Sequence, residues 1–140
     1  MTAKRSEPKW RERWEAMAGP LAPLGDVRVR PMFGGAGIYL DGTMFGLITR
    51  DCVVCFRTDA ETRGPYEDAG MEPFVPFADG RMVMPYHHVP AEVLADGEVL
   101  CAWAQTAWEA AKRAVAGREA ARRTVRRRQS PRPTTRRGRR

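Results

Sequence analysis

At 140 residues, 43% of them apolar, the chain has the size of one domain with one buried core. No uncharged run approaches the roughly 18 residues of a membrane-spanning helix, and the opening MTAKRSEPKW lacks the apolar centre of a signal peptide, so a soluble cytoplasmic protein without membrane association is expected. The net charge of +7 is unevenly placed: residues 1–116 hold 13 Lys and Arg against 16 Asp and Glu, net −3, while residues 117–140 hold eleven Arg against the single Glu119, net +10.

In chain order, Ser6 is placed to cap a helix whose second position is Pro8, and Trp10, Trp14, Met17, Ala18 and Leu21 recur at the spacing of a buried helical stripe. Gly19-Pro20, Pro23 and Gly25-Asp26 end it. Val27, Val29 and Pro31 then alternate with Arg28 and Arg30, as in a half-exposed strand. Ile38 and Leu40 lead into Asp41-Gly42, a pair that favours a two-residue hairpin turn because both positions accept positive φ. The next strand, from Thr43, is expected to put Phe45, Leu47 and Thr49 on one face and Met44, Gly46 and Ile48 on the other. Arg50-Asp51 turns the chain again, and CVVCFR completes a meander of about four antiparallel strands.

Thr58 or Asp59 caps a short helix that Gly70 ends, with Gly64-Pro65 in its middle. EPFVPF and RMVMPYHHV flank Asp79-Gly80 and predict a second hairpin, confined to edge or irregular strands by Pro73, Pro76 and Pro85. From Glu98 the period is helical, with Leu100, Trp103, Ala104, Ala107, Trp108 and Ala111 on one face. This order of helix, β-meander, helix, β-hairpin and helix predicts an α+β fold, a two-layer sandwich of an antiparallel sheet with flanking helices.

The Gly34-Gly35-Ala36-Gly37 run invites comparison with phosphate-binding loops. A nucleotide-hydrolase loop needs a Lys and a Ser or Thr after its last glycine and a helix beyond it; here a strand follows. A dinucleotide fingerprint fails at its third glycine, where Leu40 stands. The run is instead expected to be a corner or bulge between two strands. Cys52 and Cys55 have the spacing of half a zinc knuckle, but in one strand residues three apart point to opposite faces. With Cys101 they are expected to be reduced thiols, with no metal and no cofactor. Adjacent His87 and His88 face opposite ways on a strand, so a Cys-His nucleophile lacks an orienting partner and one packed beside one surface histidine is expected. Glu67-Asp68 is read as solvated, and the four tryptophans, on helix stripes, as core.

The stretches RPMFGGAGIYLDGTMFGLI at 30–48, AGMEPFVPF at 69–77, MPYHHVP at 84–90 and LCAWAQTAWEAA at 100–111 resemble the amino-terminal domain of the TfoX (Sxy) competence regulators. The resemblance covers roughly residues 10–115, and its most specific part is Met32, Phe33, Gly34 and Gly35 followed by Gly37, Asp41, Gly42 and Phe45. It implies a fold akin to secretion-chaperone-like two-layer sandwiches and a regulatory role, since full-length members act as transcriptional coactivators of DNA-uptake genes. Two departures stand out. An arginine tail occupies the place of the regulators' second helical domain, and His87-His88 replaces an expected aromatic and acidic pair.

The chain thus divides into a TfoX N-terminal-like domain at 1–116 and an arginine-rich, largely disordered tail at 117–140. In the tail, Glu119 and Arg123 have helical spacing, so the last helix is allowed to run through Gly117, with disorder expected past about Gln129. Arg118, Arg122, Arg123, Arg126, Arg127, Arg128, Arg132, Arg136, Arg137, Arg139 and Arg140 form the expected non-specific nucleic-acid contact. The body itself is not read as a basic binding face. A non-enzymatic module with an unidentified protein partner is expected, and a homodimer is left open. The alternative is a small enzyme or ligand-binding domain with a pocket near Gly34-Gly35; a scaffold would instead bury Phe33 and Phe45.

Overall fold

The first four strands of the sheet are joined by turns whose residues the sequence supplies, and a longer segment that carries a short helix leads to the fifth. In the computed structural model, which describes residues 9–76 and 83–129, β1 (Val27–Met32), β2 (Gly35–Leu40), β3 (Thr43–Ile48), β4 (Val54–Arg57) and β5 (Tyr86–His88) lie side by side in that order, all antiparallel. The two tight hairpins use the same device. Asp41-Gly42 links β2 to β3 with φ of 53° and 79°, and Phe33-Gly34 links β1 to β2 with φ of 48° and 82°. Positive φ at both central residues matches the turn to the right-handed twist of its strands. The glycine corner is therefore a hairpin turn.

Helices α1 (Lys9–Leu21) and α4 (Gly97–Gln129) pack on one face of the sheet, which makes the architecture α+β. Trp10, Met17 and Leu21 of α1 and Leu100, Ala104, Ala107 and Ala111 of α4 meet Ile38, Leu40, Phe45, Ile48, Val54 and Phe56 in one core. The small alanines let α4 approach the sheet closely, and the Trp108 indole donates to the Leu40 carbonyl at 3.2 Å. Trp14, Trp103 and Trp108 pack half-buried around this core. A 3-10 turn at Ala22–Leu24 follows α1, and Gly25 at φ 136° ends it. Among the described residues no helix is long and apolar enough to cross a membrane.

The structure corrects the face assignment in β3. The β2–β3 register shifts between Ile38 and Tyr39, so that Ile38 pairs with Gly46 and Tyr39 with Met44. Phe45 is the extra residue of this bulge, and it joins Ile48 in the main core while Met44 and Leu47 point to the other side. A strict period of two cannot survive an inserted residue.

A second correction concerns the cysteines, which do not share a strand. β4 begins only at Val54, and Cys52 sits in the preceding turn at φ 69°, where its N–H donates to the Thr49 carbonyl at 2.9 Å. The short helix α2 (Gly64–Asp68) also starts later than its expected cap. Gly64-Pro65 is its first turn, where proline costs nothing because that N–H has no helical partner. Asp59 instead builds a turn of its own, its Oδ1 accepting from the Glu61 and Thr62 N–H groups at 3.0 and 3.1 Å. One further short helix, α3 (Ala91–Leu94), follows Pro90.

The second hairpin is visible at its base: the Phe74 N–H donates to the Tyr86 carbonyl, Met84 to Phe74, and His88 to Glu72. Its Asp79-Gly80 turn lies outside the described residues, as do Ser6 and Pro8.

Candidate nucleic-acid interface

The last buried residue of α4 is Ala111, yet the helix continues for 18 more residues, to Gln129. From Ala116 to Arg128 every side chain is exposed. This is a helix without a core contact, sustained by alanine and arginine, both strong helix formers, and by arginines at its C-terminal end, where the helix dipole favours positive charge. At 1.5 Å per residue the extension from Gly117 is about 20 Å long. Its base is held to the sheet by Arg113, whose Nε and Nη2 lie 3.0 and 2.9 Å from Asp59 Oδ2 at the end of β4.

The helical repeat sorts the arginines. Arg118, Arg122 and Arg126 stack at intervals of four, and Arg123 and Arg127 flank them, so these five lie within about half of the circumference at 100° per residue. Ala120, Ala121, Thr124, Val125 and Arg128 make up the other half. Arg132, Arg136, Arg137, Arg139 and Arg140 lie outside the described residues.

The family-like motif residues are structural in different ways. Gly35 lies against β3, where a side chain would overlap the Ile48 carbonyl, and Gly42 completes its turn at positive φ. Phe45 is fully buried. Phe33, expected to be buried, is 92% exposed. Its place at the tip of a two-residue turn points the ring away from both strands, and Arg50 rather than Phe33 packs over Gly34.

His87, Asp59 and Cys55 are spent within the fold. His87 is 7% exposed, with Nδ1 2.8 Å from Thr58 Oγ1 and its ring 5.7 Å from that of Tyr66. Burial holds its pKa below the ordinary histidine value, an effect opposed by Glu67 and reinforced by Arg63 and His88. Partial burial of Asp59 would raise its carboxyl pKa, but Arg113, the Glu61 N–H and Thr62 together hold it below the ordinary value. Burial pushes the Cys55 thiol up to about 12, which keeps it protonated and unreactive. Among the described residues no three His, Cys, Asp or Glu side chains gather as metal ligands.

Two clefts, of about 680 and 400 Å³, are lined by residues other than those of the Gly34-Gly35 turn. The first runs between the end of α1 and the start of α4, past Pro20, Leu24, Glu98, Cys101 and Gln105. The second lies beside Lys9, Glu12, Arg13 and Cys52.

The family model of the TfoX N-terminal domain matches residues 20–111. The match ends at Ala111, where burial of α4 against the sheet ends, and leaves the arginine extension outside it. No curated protein matches the chain.

Proposed function

The chain belongs to the TfoX N-terminal domain family, and on that basis we propose that it is a non-enzymatic regulatory or adaptor module linked to transcription or to DNA-uptake regulation, whose arginine extension contacts nucleic-acid backbones without sequence preference. The observation that carries the nucleic-acid part is the exposed arginine face of α4. A helix continuous with the core fixes the backbone beneath these arginines, so phosphate contacts form without a backbone-ordering cost on the protein side. Each contact releases a condensed counterion, and because no base edge is read the binding is sequence-independent.

A non-catalytic body is supported by how its perturbed groups are used: Asp59 fastens α4 to the sheet through Arg113, and His87 is bonded to Thr58 inside the core. The module works in the cytoplasm, with the sheet and α4 body presenting surface to an unidentified protein partner or a second copy. The test is recovery from cell lysate. Nucleic acid co-purifies with the full chain and disappears on nuclease treatment, and a full-length variant with the eleven arginines of residues 117–140 replaced by Gln recovers no duplex DNA. Equal recovery by both chains contradicts the proposal.

A further inference from the structure

The body's net charge conceals how its charges are distributed. None of the five strands contains an Asp or Glu; Asp41 and Asp51 lie in turns between strands. The pleat then sorts the rest. Val27 and Val29 pack against the core with their partners Leu40 and Ile38, so Arg28, Arg30 and Met32 share the opposite face with Tyr39, Met44 and Arg57. Arg28 and Arg30 are both exposed there.

Cation and ring are paired twice on this face. The Arg30 guanidinium lies 5.2 Å over the Tyr39 ring, and that of Arg57 lies 5.8 Å from the centre of Tyr86. At Gly37, the ladder partner of Arg30, a side chain would come within 2.8 Å of Met44 Sδ and 3.0 Å of Tyr39 Cε1; its absence lets those two side chains close over bare backbone. Arg57 Nε is buried with no hydrogen-bond partner among the described residues, and the half-buried guanidinium stays beside the Tyr86 ring. Burial raises the Tyr86 phenol pKa, and the positive charge of the neighbouring Arg57 acts against it. At the hairpin tip of the same strands stands Phe33, exposed and at φ 48°.

We propose that this sheet face binds single-stranded nucleic acid, with Tyr39 and Phe33 as stacking platforms and Arg30 and Arg57 as phosphate contacts. Arginine alone accepts any polyanion. The aromatic rings select the strand form, because only unpaired bases offer their faces for stacking, and an arginine laid on a ring extends the platform. The class of partner rests on the nucleic-acid reading above, but the residues are different and have a separate test.

The full chain is titrated with a labelled oligothymidylate of about 15 nucleotides and with a duplex, and the oligothymidylate complex is photo-crosslinked and mapped by peptide. Adducts are expected within residues 29–50. Arg30→Glu, on an exposed side chain, and Tyr39→Ala each weaken oligothymidylate binding about tenfold, with a smaller effect on the duplex. Adducts confined to residues 118–140, unchanged affinity in Arg30→Glu with an unchanged melting temperature, or equal affinity for polyglutamate of the same charge would overturn the proposal. Loss of the tail reading alone looks different: the eleven-Gln variant then keeps its duplex affinity while crosslinks to residues 29–50 persist.

Discussion

Thr58 Oγ1 and His87 Nδ1 lie 2.8 Å apart inside the core, joining the residue after β4 to the middle of β5 across 29 positions of sequence. Because burial lowers the His87 pKa in the folded chain, the unfolded chain binds this proton more readily. The stabilisation is complete above the ordinary value of 6.5 and is lost as pH falls from there toward the lowered folded value. Denaturant midpoints measured from pH 8 down to pH 5 should fall through this window, and His87→Gln should flatten the fall. An unchanged slope in the variant would assign the dependence elsewhere.

Tyr66 offers a change in the opposite direction. Its ring is 2% exposed and packs edge-on against Trp103 at 4.7 Å, but its hydroxyl is buried without a hydrogen-bond partner among the described residues. Tyr66→Phe keeps the packing and removes the unpaired group, so stability should rise by about 1 kcal/mol. A loss of that size in a urea titration would mean that the hydroxyl has a partner.

The Phe33-Gly34 turn carries a strain that asparagine would relieve. A phenylalanine at φ 48° that is 92% exposed meets the backbone penalty with no burial in return. Phe33→Asn should therefore stabilise the chain by about 1 kcal/mol while weakening its hold on single-stranded DNA. By contrast Gly35→Val, whose side chain would overlap the Ile48 carbonyl, should cost on the order of 1 to 3 kcal/mol. Thermal melts of the two variants moving in the same direction would contradict this account of the turn.

Much of the fold was legible where chemistry is local. Asp41-Gly42 announced its turn, and Leu100, Ala104, Ala107 and Ala111 announced the buried face of α4. What failed depended on pairing. The bulge that sends Phe45 and Ile48 to one side is set by the β2–β3 register, which no period within β3 reveals. Phe33 looked like core because it is aromatic, whereas its burial is decided by a turn one residue earlier than a glycine-only corner suggested. The arginines of the tail were visible by composition. Arg30 and Arg57 were hidden in a net negative body, and only the pleat and the register bring them to one face. Strands free of Asp and Glu were the signal available for them.

The central claim, that the arginine extension binds nucleic acid through phosphates, is tested most directly by salt titration of duplex DNA affinity. Replacing the eleven arginines of residues 117–140 by Gln turns the net charge from +7 to −4 and keeps helix-forming residues in α4. With about six phosphate contacts, log K of the natural chain should fall against log salt with a slope of roughly −5, while the variant keeps its fold and shows no measurable affinity at moderate salt. Equal affinity and equal slope in the two chains would contradict the account.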